Sequence, residues 1–371
     1  MLIPLDDYPV HQTPEPVAHT LGGAVNHYDR YFFNGYRRDG SLYFGAALGL
    51  YPNRRVMDAA FAVVRDGEEI SVIASRLAPL DRETTVGPIR VTVEEPLRRL
   101  RVSVSPNESG LEADLVFTAR SVALEEPRFT RYEGASPVFD YTRLTQWGTW
   151  SGTLVADGER VDVTPDVMGC RDRSWGLRPV GQQVPGPSGS VPQFFWLWAP
   201  LNFDDLCVHF DVNEDGEGRP WHWNGVVMPV LRTPGDPLVD PGSARHMARV
   251  RHDIRWEPGT RRAASATLHL EPHDGEPLAV HLEPMLTFRM RGLGYLHPEW
   301  GHGHWKGDEA LHTERFRLDD VNPLDPFYVH VQQVCRATMG ERSGVGVFEQ
   351  LVIGPHGPSG FREMLDGAPA Q

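Results

Sequence analysis

Cysteine is scarce in this chain. Cys170, Cys207 and Cys335 are widely spaced, odd in number and form no CxxC pair. That excludes a disulfide framework and a cysteine-based zinc site, and points to a reducing compartment. Long apolar runs are missing as well, none approaching the roughly 18 residues that span a bilayer. Residues 1–20 hold Asp6 and Asp7 and no apolar core behind basic residues, so a secretory signal is not expected and a soluble cytoplasmic protein is. Positive charge is outweighed: the net charge of -14 argues against nucleic acid or an anionic membrane surface as partner. Helical periodicity is wanting too, with 138–145 the nearest candidate. There is no P-loop, no GxGxxG after a strand, no GxSxG elbow, no HExxH and no EF-hand loop. Nucleotide-dependent, α/β-hydrolase and zincin chemistries are thereby disfavoured.

What is present is a globular composition, 40% hydrophobic with 10 tryptophans, over 371 residues, enough for two domains. From Tyr31 the text is β-like. Short apolar or alternating stretches at 31–36, 42–49, 57–64, 89–94, 100–104 and 111–119 are punctuated by Asp39-Gly40, Asp66-Gly67 and Asp157-Gly158, the mark of antiparallel hairpins. The series Phe32-Phe33, Leu42-Tyr43-Phe44 and 57–64 returns in order as Phe194-Phe195, 206–211 and 221–228. Two copies of one β fold account for this and for the length. We therefore expect an all-β protein of two tandem antiparallel barrels or sandwiches. An arm over 1–25 precedes domains at 26–180 and 190–371, with a Gly/Pro/Ser/Gln-rich connection at 181–192.

Four constellations could carry chemistry. Residues 169–179 pack Arg171, Asp172, Arg173 and Arg178 around Trp175 between glycines, either an ordered polar site against an aromatic wall or a structural corner tied by ion pairs. His209 and Asp211 stand at i and i+2 on an expected strand and share one face, Val208, Phe210 and Val212 taking the other. If that face points into a cavity, burial raises the Asp211 pKa and makes it a proton donor near neutrality; otherwise the pair stands in water on the outward side of an amphipathic strand. Trp196 and Trp198 alternate in the same way and wall a cavity or fill a core. The Gly-rich segment 292–307 carries Tyr295, His297, His302 and His304. His302 and His304 could share a metal ion, or the imidazoles could simply hydrogen-bond backbone. Glu349 and Gln350 interrupt an apolar strand, so one of them is buried, with structural ion pairing the competing role.

Asp172-Arg173-Ser174-Trp175-Gly176, the doubled β pattern and the closing Gln350-Leu351-Val352-Ile353-Gly354-Pro355 resemble the two-domain lipocalin-like proteins. That group includes AttH-like proteins and carotenoid 1,2-hydratase (hydroxyneurosporene synthase), with some fungal Diels–Alderases as remoter relatives. The resemblance runs over most of the chain from Tyr31 to Phe361. In the hydratases the motif reads Asp-His-Asn-Trp-Gly, its His and Trp implicated in catalysis with a later Tyr-x-Asp pair. Here Asp172 and Trp175 match, Arg173 stands at the His position, and His209 and Asp211 match the later pair.

The resemblance thus implies a related acid–base reaction on another apolar molecule rather than carotenoid hydration itself. Asp211 is the expected acid, His209 the base that handles water, and Trp175 a wall facing a cation. Arg173 would hold Asp172 or a polar group of the substrate. Trp196, Trp198, Tyr295, His302 and Glu349 complete the expected substrate contacts. The expectation is a lyase or isomerase of hydratase or dehydratase type, without metal or other cofactor, acting on a terpenoid- or steroid-like molecule. A non-catalytic carrier of an apolar ligand and a pericyclase are the alternatives.

Overall fold

The computed structural model describes residues 2–19, 22–181, 193–239 and 242–369. All its long elements are strands; the helical turns among the described residues are short 3-10 segments. The stretch nearest to helical periodicity, 138–145, lies inside the strand Ser136–Ala156. Except for Gly181, the expected connection at 181–192 lies outside the described residues.

The first half forms most of a 14-stranded antiparallel sheet, all but one of its strands. Its centre runs Val56–Arg65, Tyr43–Tyr51, His27–Tyr36, Met168–Leu177, Ser136–Ala156. The second half closes into a barrel of eight strands, from Phe194–Phe203 round to Arg342–Ile353. The two repeated sequence series become equivalent three-strand meanders, one in each body. The strand Glu309–Arg317, from the second half of the chain, pairs with Glu68–Leu77 at the edge of the first sheet.

Alternation sorts the side chains, because successive residues of a strand point to opposite faces. Phe195, Leu197, Val208, Phe210 and Val212 fill the barrel interior, whereas Phe33, Phe44, Phe61, Phe117 and Trp150 fill the concave side of the sheet. The opposite faces meet each other: Phe32, Tyr36, Tyr43 and Cys170 of the sheet pack on Trp198, Phe288, Val334 and Val347 of the barrel. This third cluster is what binds the two bodies together.

The motif strand Met168–Leu177 is wedged between two neighbours. A Cβ at Gly169 would meet the Asn34 carbonyl oxygen at 2.1 Å, and one at Gly176 the Asp140 oxygen at 2.3 Å. Its flanking glycines therefore permit the close approach that fixes Asp172 and Ser174 in register. All three cysteines are buried and free. No helix of the described residues is long and apolar enough to cross a membrane.

Candidate active site

A cavity of about 330 Å³ opens where the sheet and the barrel meet. Cross-strand register builds its sheet wall. Arg30 lies opposite Ser174, which lies opposite Arg143, and in the next row Phe32 neighbours Asp172. The barrel contributes Trp196, Trp198, Glu349 and His330, and the excursion after Arg289 lays Tyr295 and His302 along the rim.

Asp172 is the chemically exposed acid of this site. No hydrogen bond or ion pair among the described residues holds its carboxyl, which faces the cavity. Burial pushes its pKa up to about 7, Arg143 and Arg30 opposing that rise while Glu126 and Glu349 reinforce it. A carboxyl poised there holds its proton near neutrality and can donate it.

Across from it stands a base held by a second carboxylate. His330 Nε2 lies 2.6 Å from Glu349 Oε1, and its Nδ1 is buried without a partner. Glu349 is fixed from its other side by the Gln332 amide. The Gln332 oxygen in turn accepts from Asn34 Nδ2 at 3.1 Å and the Tyr43 hydroxyl at 2.7 Å. With Nε2–H donating to the carboxylate, a neutral His330 keeps its lone pair on Nδ1.

His209 and Asp211 do share a face, as their spacing predicts, but that face points out of the barrel and towards the sheet. Neither lines the cavity. The pKa of Asp211 is lowered, the opposite of the expected rise. Burial would lift it, but the His222 hydrogen bond and the Arg143 charge hold it down. Asp211 accepts from Trp196 Nε1 at 3.0 Å and Arg143 Nη2 at 2.9 Å, so it anchors two cavity-wall side chains from behind. His209 is completely buried, with neither ring nitrogen hydrogen-bonded. Burial lowers its pKa, and its ring packs edge-on behind the cavity-wall residue Trp198.

Trp175 is 40% exposed and lies on the face of its strand away from Asp172, so it walls nothing. Arg173 shares that face. It pairs with Asp29 at 2.7 Å and stacks 3.9 Å over the Tyr31 ring, holding neither Asp172 nor the cavity. Alternation alone separates both from the site. Trp196, Trp198, Tyr295, His302, Glu349 and Asp172 do come together.

His302 and His304 do not converge on an ion site. His302 Nδ1 accepts from Arg30 at 3.0 Å and Arg178 at 2.8 Å, while Nε2 donates to the Leu293 carbonyl at 2.8 Å. Burial, followed by those two guanidinium charges, holds its pKa well below the usual value. His304 Nδ1 instead meets the Glu299 carbonyl. Among the described residues, two other groups have ligand atoms close enough for a metal: His297, His312 and Glu314, and Glu126, His209 and Asp211. In each, arginine already holds the carboxylates, Arg291 on Glu314 and Arg143 on Glu126 and Asp211.

His330, Arg30 and Arg143 are site residues that the sequence reading passed over, whereas Arg178 belongs to the 169–179 stretch it singled out. Arg30 had a signal: it shares a strand face with Tyr28, Phe32 and Tyr36, where a lone charge is out of place. His330 had none, since its pairing with Glu349 depends on strand register.

Together the closed barrel, the large curled sheet and the cavity at their junction define a two-part lipocalin-like β protein. The chain belongs to a family of unknown function (DUF8625), whose model matches residues 2–362. Among solved structures, an AttH-like protein from Nitrosomonas europaea is similar at 13% identity and TM-score 0.53, over 87% of this chain and 92% of that one. CghA with Sch210972 is similar at 12% identity and TM-score 0.50, over 92% and 96%. Kievitone hydratase from Nectria haematococca follows at 12% and 0.49, over 91% and 92%. The first two likenesses establish the fold alone. No curated protein matches the sequence.

Proposed function

We propose that this protein is an acid–base lyase or isomerase, of hydratase or dehydratase type, acting on an apolar small molecule held between sheet and barrel. The observation that carries the reading is the opposition of two groups across one aromatic-walled cavity. One is Asp172, unpartnered and with its pKa raised to about 7; the other is the His330–Glu349 pair, with an unpartnered Nδ1.

In the hydration direction the Asp172 carboxyl gives its proton to an alkene carbon, and the Trp196, Trp198 and Tyr295 rings face the cation that forms. Water then adds, its oxygen bonding to the cationic carbon while His330 Nδ1 takes the released proton. Solvent returns a proton to Asp172 and accepts one from His330, so the balance is one water added. Dehydration runs the same steps backwards. Proton donor and acceptor both come from the chain, so the scheme requires no cofactor.

The test uses the substrate found by mass spectrometry of an organic extract of purified protein, followed by its gain or loss of one water. Asp172→Asn should abolish turnover and leave ligand affinity within a few-fold. Unchanged turnover in that variant sinks the acid–base reading and leaves a carrier or a pericyclase.

A further inference from the structure

We propose that Arg30 and Arg178 form an anion anchor in the cavity, and that the natural ligand is an apolar molecule carrying a carboxylate. This rests on the cavity being the ligand site, as the proposed function also requires, and it narrows the substrate to an acid.

Arg30 is 1% exposed and lines the cavity, yet its Nε and Nη2 have no hydrogen-bond partner. Arg178 lines the same wall, and its hydrogen bond is to His302. Neither guanidinium is within ion-pair distance of a carboxylate among the described residues. Such charges are normally paired when removed from water, because an isolated buried ion loses far more solvation than the protein restores.

Of the acids nearby, Asp172 keeps its proton up to about pH 7 because it is buried, and the others are committed elsewhere. Asp58 accepts from the Tyr51 hydroxyl at 3.1 Å and the Gly303 N–H at 2.6 Å. Glu349 is held by His330 and Gln332. Arg143, the third cavity arginine, contrasts with these two: it is neutralised by both Glu126 and Asp211.

The two free guanidiniums are nevertheless placed with care. Each donates to the same Nδ1 of His302, and Tyr295 lies beneath both, 4.6 Å from Arg30 and 5.7 Å from Arg178. A neutral imidazole and an aromatic face fix the cations without cancelling their charge. This leaves Arg30 Nε and Nη2 without a partner beside the cavity, and a guanidinium fork suits a planar oxyanion. The anchor also removes a difficulty of the proposed chemistry. Two uncompensated positive charges oppose a carbocation, whereas a carboxylate bound between them neutralises the field in which the cation forms.

The experiment compares biphenyl-4-carboxylate with its neutral isostere biphenyl-4-carboxamide, by tryptophan fluorescence titration of the full chain at neutral pH. The wild type should bind the acid at least about tenfold more tightly than the amide, the gain of a charge-assisted hydrogen bond. Arg178→Gln and Arg30→Gln should each bring the acid down to the affinity of the amide, leaving the amide unchanged, and Arg178→Lys should restore part of the preference. Equal affinity of the two probes for the wild type, or binding of neither, overturns the anchor. That comparison does not depend on whether any variant folds. If the acid preference holds while Asp172→Asn still turns over, the anchor stands and the acid–base reading fails. If the preference is missing while Asp172→Asn is inactive, the reverse is true.

Discussion

His330 Nε2, just ahead of the strand Val331–Met339, and Glu349 Oε1 on its neighbour Arg342–Ile353 stand 2.6 Å apart, and the pair is buried against the cavity that Asp172 faces from the sheet. A carboxylate that holds an imidazole by one nitrogen decides which nitrogen works. His330→Gln should lower turnover about 10²–10⁴-fold, the usual worth of a positioned acid or base. Glu349→Gln should also lower it and should alter the pH profile, because the imidazole loses both its orientation and its countercharge. Steady-state kinetics across pH distinguishes the two, and a Glu349→Gln profile identical to wild type would remove Glu349 from the machinery.

The pH dependence of Asp172 has a definite sign. Its proton is required for donation, so turnover in the hydration direction should fall as pH rises through about 7. Its folded pKa lies above the ordinary 3.8, so between those values the unfolded chain releases a proton that the folded chain keeps. Stability is therefore lost as pH rises through that window and is level above it. Asp172→Asn should gain in Tm on the wild type from pH 4 to 7 and no further. Thermal melts in matched buffers read this directly, and a constant difference would show that Asp172 is not the perturbed group.

Arg143 joins Glu126 and Asp211, both buried. Arg143→Met should destabilise the fold by about 3–5 kcal/mol, the cost of leaving buried carboxylates without their partner. Adding Glu126→Gln and Asp211→Asn to that variant should recover much of the loss. Urea unfolding of the single and triple variants provides the measurement; equal midpoints for the two would disprove the pairing energy.

Trp175 supplies the opposite kind of prediction. Exposed and turned from the cavity, it should tolerate Trp175→Ala with stability changed by only about 0.5 kcal/mol, as for other surface positions. Turnover should remain at the wild-type level. A large loss of turnover in a variant of normal Tm would return Trp175 to the reaction.

The β architecture was legible because it is written locally. Asp-Gly turns and a period of two announce hairpins, and the double series from Phe32 and from Phe194 announces two related bodies. The site was legible only in part. Alternation tells that His209 and Asp211 share a face, but barrel closure decides which face is inside, and the wholly apolar set Val208, Phe210 and Val212 takes the interior. The same alternation places Asp172 in the cavity and its motif neighbours Arg173 and Trp175 outside it. A resemblance read along the sequence cannot make that distinction. His330 and Glu349 meet through a ladder in which Gln332 faces Glu349, a register no local pattern announces.

The strand Glu309–Arg317 has a consequence for any attempt to divide the molecule. It leaves the barrel half to complete the sheet beside Glu68–Leu77, so severing the chain between the halves would strip that edge and leave a row of unsatisfied backbone groups ready to pair with another copy. Expressed alone, the first half should therefore self-associate, and adding back the second half should disperse it. The two bodies are stitched like interlocked fingers, and the cavity exists only while both are in place.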